Sequence, residues 1–151
     1  MLDALVIGAG PAGLMAAEEL AKAGRKVVIC EAKPSPARKF LMAGKSGLNL
    51  TKDQDLSAFT KVYDCKALAP MLAEFGPTQV MDWCRGLGVE VFVGSSGRVF
   101  PKVMKASPLL RAWLVRLDGL GVELRSRWRW LDLTRDLRFK RLILLRFYGR
   151  I

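Results

Sequence analysis

Histidine is missing from this 151-residue chain. That absence excludes a Ser-His-Asp triad, a Cys-His nucleophile pair and imidazole metal ligation together. Cysteine is scarce. Cys30, Cys65 and Cys84 are odd in number, widely spaced and form no CxxC pair. This argues against a redox disulfide or zinc site and for buried or half-buried free thiols. No apolar run approaches the ~18 residues of a membrane span. The first apolar run has no basic flank and is too short for a secretion signal, so the cytoplasm is the expected compartment. Acidic charge is also short, with 14 Asp and Glu against 25 Lys and Arg and a net charge of +11. Its location matters more than its size. Residues 1–124 carry 16 basic and 12 acidic side chains (+4), and residues 125–151 carry 9 and 2 (+7). Most of the excess is confined to the tail, so charge alone does not make the whole chain a nucleic-acid binder.

What the chain does have is 51% hydrophobic residues, enough for a real core in one domain of this length, and a dense motif at its start. Ala4-Leu5-Val6-Ile7 leads into Gly8-Ala9-Gly10-Pro11-Ala12-Gly13. An Ala/Leu/Glu-rich stretch runs to Gly24, and Val27-Val28-Ile29-Cys30 ends on Glu31. This is strand, glycine turn, helix, strand and acid, in the order and spacing of a dinucleotide-binding half-motif. The first N–H groups of the helix lack intrahelical partners and carry roughly half a positive charge, which makes an anion site. Gly8 permits the tight turn, Gly10 lets backbone approach a pyrophosphate, and Gly13 lets the helix lie close on the sheet. Pro11 is tolerated in the first turn, and Gly24 is placed to close the helix. Glu31 is suited to ribose hydroxyls and opposes a 2′-phosphate, which disfavours NADP. The requirement is strict: the glycine corner must be free of plugging side chains, and the first strand must not lie at a periphery.

Further along, Lys33-Pro34-Ser35-Pro36 reads as loop. The stretch 38–51 reads as an ordered loop against something anionic or polar. Residues 66–75 and 78–87 read as helices broken at Gly76-Pro77. Val89–Val93 and Arg98–Pro101 read as a strand pair around the turn 94–97. Ser107-Pro108 reads as the entrance of a helix with Leu109, Leu110, Trp113, Leu114 and Leu117 on one face. Val122–Leu124 is a third strand of the first sheet. The strands near 3–7, 26–30 and 122–125 are expected as neighbours, the first in the middle, with the pair near 89–101 an excursion.

Three stretches carry a family resemblance: Val6–Ala17, Arg38–Thr51 (RKFLMAGKSGLNLT), and Gly97-Arg98-Val99-Phe100-Pro101 with Lys105-Ala106-Ser107. With them the chain resembles the N-terminal part of the HI0933-like FAD-binding flavoproteins, also called BaiN-like or aminoacetone-oxidase-type, over about residues 1–130. The resemblance implies a flavoprotein holding FAD non-covalently through Gly8, Ala9, Gly10, Pro11, Ala12, Gly13, Glu31, Ala32, Arg38, Lys39, Gly44, Gly47, Asn49 and Thr51. Gly8, Gly10 and Gly13 would bracket the pyrophosphate, and Glu31 would take the adenosine ribose. Arg38 and Lys39 would lie beside ribose and phosphates. Gly44, Gly47, Asn49 and Thr51 would form the loop beneath the flavin end. Family activity is flavin redox chemistry on small molecules, including reduction of activated carbon–carbon double bonds in steroid-like substrates.

The expected fold class is α/β: a Rossmann-like FAD/NAD(P)-binding domain with a parallel sheet and flanking helices, truncated, with a β-leaning basic tail. Residues 1–124 are expected to form the N-terminal part of that domain. Residues 125–151 are read as the start of a second domain or as out-of-frame sequence left by a frameshift or premature stop. The expected function is the FAD-binding portion of a flavin-dependent oxidoreductase acting on a small molecule, with no catalytic or metal-binding residue assigned. The alternatives are a non-catalytic nucleotide-binding fragment and a module working through NAD. A weaker one is single-stranded nucleic acid stacked on Trp128, Trp130, Phe139 and Tyr148. The plainer reading of the tail is an amphipathic strand pair with one solvated basic face.

Overall fold

In chain order the elements are β1 (Ala4–Ile7), α1 (Pro11–Lys22), β2 (Val27–Glu31), α2 (Arg38–Ala43), β3 (Thr51–Lys52), α3 (Leu56–Thr60), a 3-10 turn (Lys66–Leu68), α4 (Ala69–Glu74), α5 (Pro77–Gly86), β4 (Val91–Val93), β5 (Arg98–Pro101), α6 (Ala106–Gly119), β6 (Glu123–Ser126), β7 (Arg129–Arg135) and β8 (Ile143–Tyr148). The computed structural model describes residues 2–43, 47–135 and 143–148, with backbone alone beyond residue 131. The chain divides into two units, residues 1–40 with 115–151 and residues 41–114.

The first unit is built on a parallel sheet of order β1-β2-β6. Ala4 lies opposite Val27 and Ile7 opposite Cys30, while Val28 pairs with Glu123 and Glu31 with Ser126. The expectation that β1 is the middle strand is overturned: β2 is. Its four apolar residues Val27–Cys30 are all buried, as a strand paired on both edges demands. β1 is less covered, with Ile7 48% exposed. Helix α1 packs on β1 and β2 and buries Leu14, Ala17 and Ala21 at helical spacing. Gly24, at φ +76, follows its end as the sequence implied. β7 and β8 pair antiparallel after the sheet, so the described residues of the tail are mostly strand.

One polar group is sealed into this apolar face. Glu18, fully buried on α1, meets Lys22 Nζ at 2.8 Å and Arg116 Nη1 at 3.0 Å. The carboxylate holds the Lys22 ammonium above its ordinary pKa, against the smaller opposing effect of burial. Arg116 sits near the end of α6, so the pair ties α1 to α6 through residues 98 positions apart in sequence.

The second unit holds a small antiparallel sheet of order β3-β5-β4, the expected excursion with one strand more. Val99, Cys84, Leu109 and Trp113 are buried in its core. Trp83 meets Trp113 edge-on at 4.7 Å between ring centres, a favoured aromatic geometry. The break at Gly76 is sharpened by its N–H donating to Gln79 Oε1 at 3.1 Å. Two expectations are corrected here. Residues 38–43 are a helical turn rather than loop. The helix read from Ser107-Pro108 already begins at Ala106. The thiols also divide: Cys30 and Cys84 are buried, but Cys65 is exposed, because it lies just ahead of the 3-10 turn in a segment with no buried residue.

Burial pushes the Cys84 thiol up to about 11 and raises that of Cys30. Titration of the native protein with an aromatic disulfide at pH 8 should therefore modify one thiol rapidly and all three only after unfolding. Glu18→Ala should cost about 3 kcal/mol in urea unfolding, because it strands Arg116 without its buried partner, and Glu18→Met should cost less.

Candidate functional site: the glycine corner

β1 ends at Ile7, and the ladder runs one residue on, where Gly8 N–H donates to Cys30 O at 2.8 Å. Gly8 then turns at φ +95, a conformation that strains any side chain. Gly10 is the N-cap, with extended backbone and no side-chain cap on the helix it opens. The first intrahelical bond runs from Leu14 N–H to Gly10 O at 2.9 Å. Ala12 and Gly13 therefore present N–H groups that the helix itself does not use. A Cβ on Gly13 would stand 2.0 Å from Gly8 O, whereas one on Gly8 or Gly10 would meet nothing within 4 Å. The glycines thus serve three separate needs: conformation at 8, open approach at 10 and packing at 13. The corner is not plugged, so the first requirement set by the sequence is met. The second is not, since β1 lies at an edge of the described sheet. The corner's groups come from the end of β1, the first turn of α1 and the end of β2, none of which needs a strand on the far side of β1.

Glu31 closes the corner from β2. Its Oε2 accepts from Ala9 N–H at 2.9 Å and its Oε1 from Lys33 N–H at 2.8 Å. The loop that follows returns to the corner at Ala37, whose N–H donates to Ala9 O at 2.8 Å. Ala37 is buried and left-handed, at φ +51. Between corner and loop lies a cleft of about 420 Å³, bordered by Gly10, Pro11, Glu31, Lys33, Ser35, Ala37, Arg38, Lys39 and Phe40. A larger cleft of about 800 Å³ runs over Leu5, Val28, Cys30 and Trp128, where Arg125 stacks on the Trp128 ring at 4.8 Å. It contains none of the corner's donors.

Of the residues singled out in the sequence, Gly10, Pro11, Glu31, Arg38 and Lys39 border one cleft, with Gly8, Ala12 and Gly13 forming the corner beside it. Ala9 is buried beneath it, and Ala32 is exposed outside the cleft lining. Gly44 lies outside the described residues. Gly47, Asn49 and Thr51 belong to the second unit. There Gly47 turns at φ +143 against Met104 and Phe100, Asn49 is exposed, and Thr51 is buried opposite Val99. In the sequence Lys33 and Ser35 read as ordinary loop, and Ala37 carried no reading at all. The only hint was a short proline-flanked segment following the acid. A left-handed alanine gives no sign of itself in the sequence. Among the described residues no group of three or more His, Cys, Asp or Glu could hold a metal ion, and no helix is long and apolar enough to cross a membrane.

The HI0933-like protein Rossmann domain family matches residues 2–145. Solved structures repeat the fold at low identity. THI4 of Thermovibrio ammonificans is 20% identical with a TM-score of 0.55, over 90% of this chain and 43% of that one. The p-nitrophenol 4-monooxygenase PnpA of Pseudomonas putida DLL-E4 is 17% identical with a TM-score of 0.56, over 99% and 37%. The 3-ketosteroid-delta4-(5alpha)-dehydrogenase of Rhodococcus jostii RHA1 is 18% identical with a TM-score of 0.53, over 97% and 42%. The chain spans less than half the length of each.

Two alanine substitutions should separate packing from access. Gly13→Ala forces α1 off β1 and should destabilise by about 3 kcal/mol or more in chemical denaturation. Gly10→Ala meets open space in an allowed conformation and should stay within about 1 kcal/mol of the parent.

Proposed function

The chain belongs to the HI0933-like protein Rossmann domain family, and from that premise we propose that it is the FAD-binding portion of a flavin-dependent oxidoreductase acting on a small molecule. One observation carries the reading: an uncapped helix entrance, an unobstructed Gly10 and a strand-end carboxylate meet at one cleft. These residues fit the ADP half of FAD. The N–H groups of Ala12 and Gly13 suit diphosphate oxygens. The bare Cα of Gly10 leaves the approach clear. Each Glu31 oxygen takes one backbone N–H and keeps a lone pair for a ribose hydroxyl. Its charge opposes a 2′-phosphate. Arg38 and Lys39 bring cationic side chains to the same cleft.

The flavin, when bound, supplies the hydride or electron transfer, while this chain's residues bind and orient it. None of them is assigned a catalytic role. The flavin-end role of Gly44, Gly47, Asn49 and Thr51 rests on the resemblance of their segment to the family.

Purified protein should show a flavin absorption band or gain one on addition of FAD, and should bind ADP more tightly than its 2′-phosphorylated analogue. Gly10→Ala should weaken FAD and ADP binding at least tenfold with little change in melting temperature. A colourless chain that ignores FAD and ADP would favour the non-catalytic fragment. Retention of NAD without flavin would favour an NAD module.

A further inference from the structure

Ala9 is fully buried and both of its backbone groups are engaged, the N–H by Glu31 Oε2 and the C=O by Ala37 N–H. The partners bracket one loop: Glu31 ends β2, and Ala37 closes the segment that follows it. That loop is itself held from behind: Trp128 N–H donates to Glu31 O at 2.9 Å and Arg127 N–H to Lys33 O at 3.1 Å. Glu31 Oε1 adds an internal tie to Lys33 N–H. The carboxylate thus bridges the glycine corner to a braced frame, across a sequence separation of 22 positions from Ala9 to Glu31. An acid needed only to meet a sugar has no reason to spend both oxygens on its own backbone.

We propose that Glu31 is a positioning residue for the diphosphate, acting through Ala9 to fix the direction of the Gly10–Gly13 turn, independently of any ribose it also contacts. This deepens the nucleotide reading of the corner and rests on it. Three roles predict different effects of Glu31→Gln on a ligand that has no sugar. Removing a negative charge beside an anion site should tighten binding on Coulomb grounds. Losing a ribose contact should change nothing. Losing the brace should weaken binding, because glutamine has one acceptor oxygen and its NH₂ faces one of the two N–H donors.

The test measures calorimetric affinity of the full chain for inorganic pyrophosphate and for ADP, in the parent, Glu31→Gln and Glu31→Asp. The aspartate keeps the charge but is too short to bridge both N–H groups. The expected result is a loss of about tenfold for pyrophosphate in both variants, the scale of one charge-assisted hydrogen bond. Pyrophosphate affinity that is unchanged or tighter in the variants overturns the proposal, even where ADP binding falls. A parent that binds neither ligand overturns the nucleotide reading instead, which keeps the two failures apart. Amide hydrogen exchange of the ligand-free parent gives a second measurement that needs no variant. Slow exchange at Ala9 is expected, and exchange at the unprotected rate would overturn the proposal.

Discussion

A side chain at position 13 would place a carbon 2.0 Å from the carbonyl oxygen of Gly8. The first unit depends on the absence of that carbon. Only because α1 can lie so near the turn that feeds it do the helix entrance, the end of β1 and the end of β2 converge. The close approach brings apolar residues of α1 onto β1 and β2. It also leaves the first N–H groups of the helix facing outward from a buried base. Packing and the open helix entrance therefore share one cause, a strand-to-helix turn too tight for any residue but glycine.

The same economy of backbone explains the electrostatics. The corner presents N–H dipoles from the helix entrance, side-chain cations from Arg38 and Lys39, and a single carboxylate from Glu31. That carboxylate is held by two backbone N–H groups, so its charge is spread into the fold rather than pointed wholly at a ligand. A site of this kind suits a ligand with phosphates at one end and a diol beside them. The fully buried acid, Glu18, is neutralised differently, between Lys22 and Arg116. It serves to lock α1 to α6 away from the corner.

Much of this was legible in the residues themselves. Periodicity and turn chemistry located β1, α1 and β2 to within a residue or so, because each is specified by neighbours within one or two turns of chain. The strand pair at 91–101 and the break at Gly76 were legible for the same reason. Strand order was not. Three short apolar runs contain no statement about which is central, and β2 took the middle because its residues could be buried on every side. The helical turn at 38–43 was hidden by its weak periodicity. The exposure of Cys65 was hidden because a thiol carries no mark of its burial.

The amino-acid sequence by itself determined the strand, glycine turn, helix, strand and acid of residues 4–31, since those depend on local conformational preference and on spacing. It also settled family membership, through motifs read in linear order. Only the tertiary structure decided what Glu31 does with its two oxygens, that Ala37 turns left-handed to reach Ala9, and that Glu18 is sealed against an arginine 98 positions away. Those are properties of segments brought together by burial. A hydrogen bond between distant stretches exists only once the apolar faces have fixed where each backbone lies.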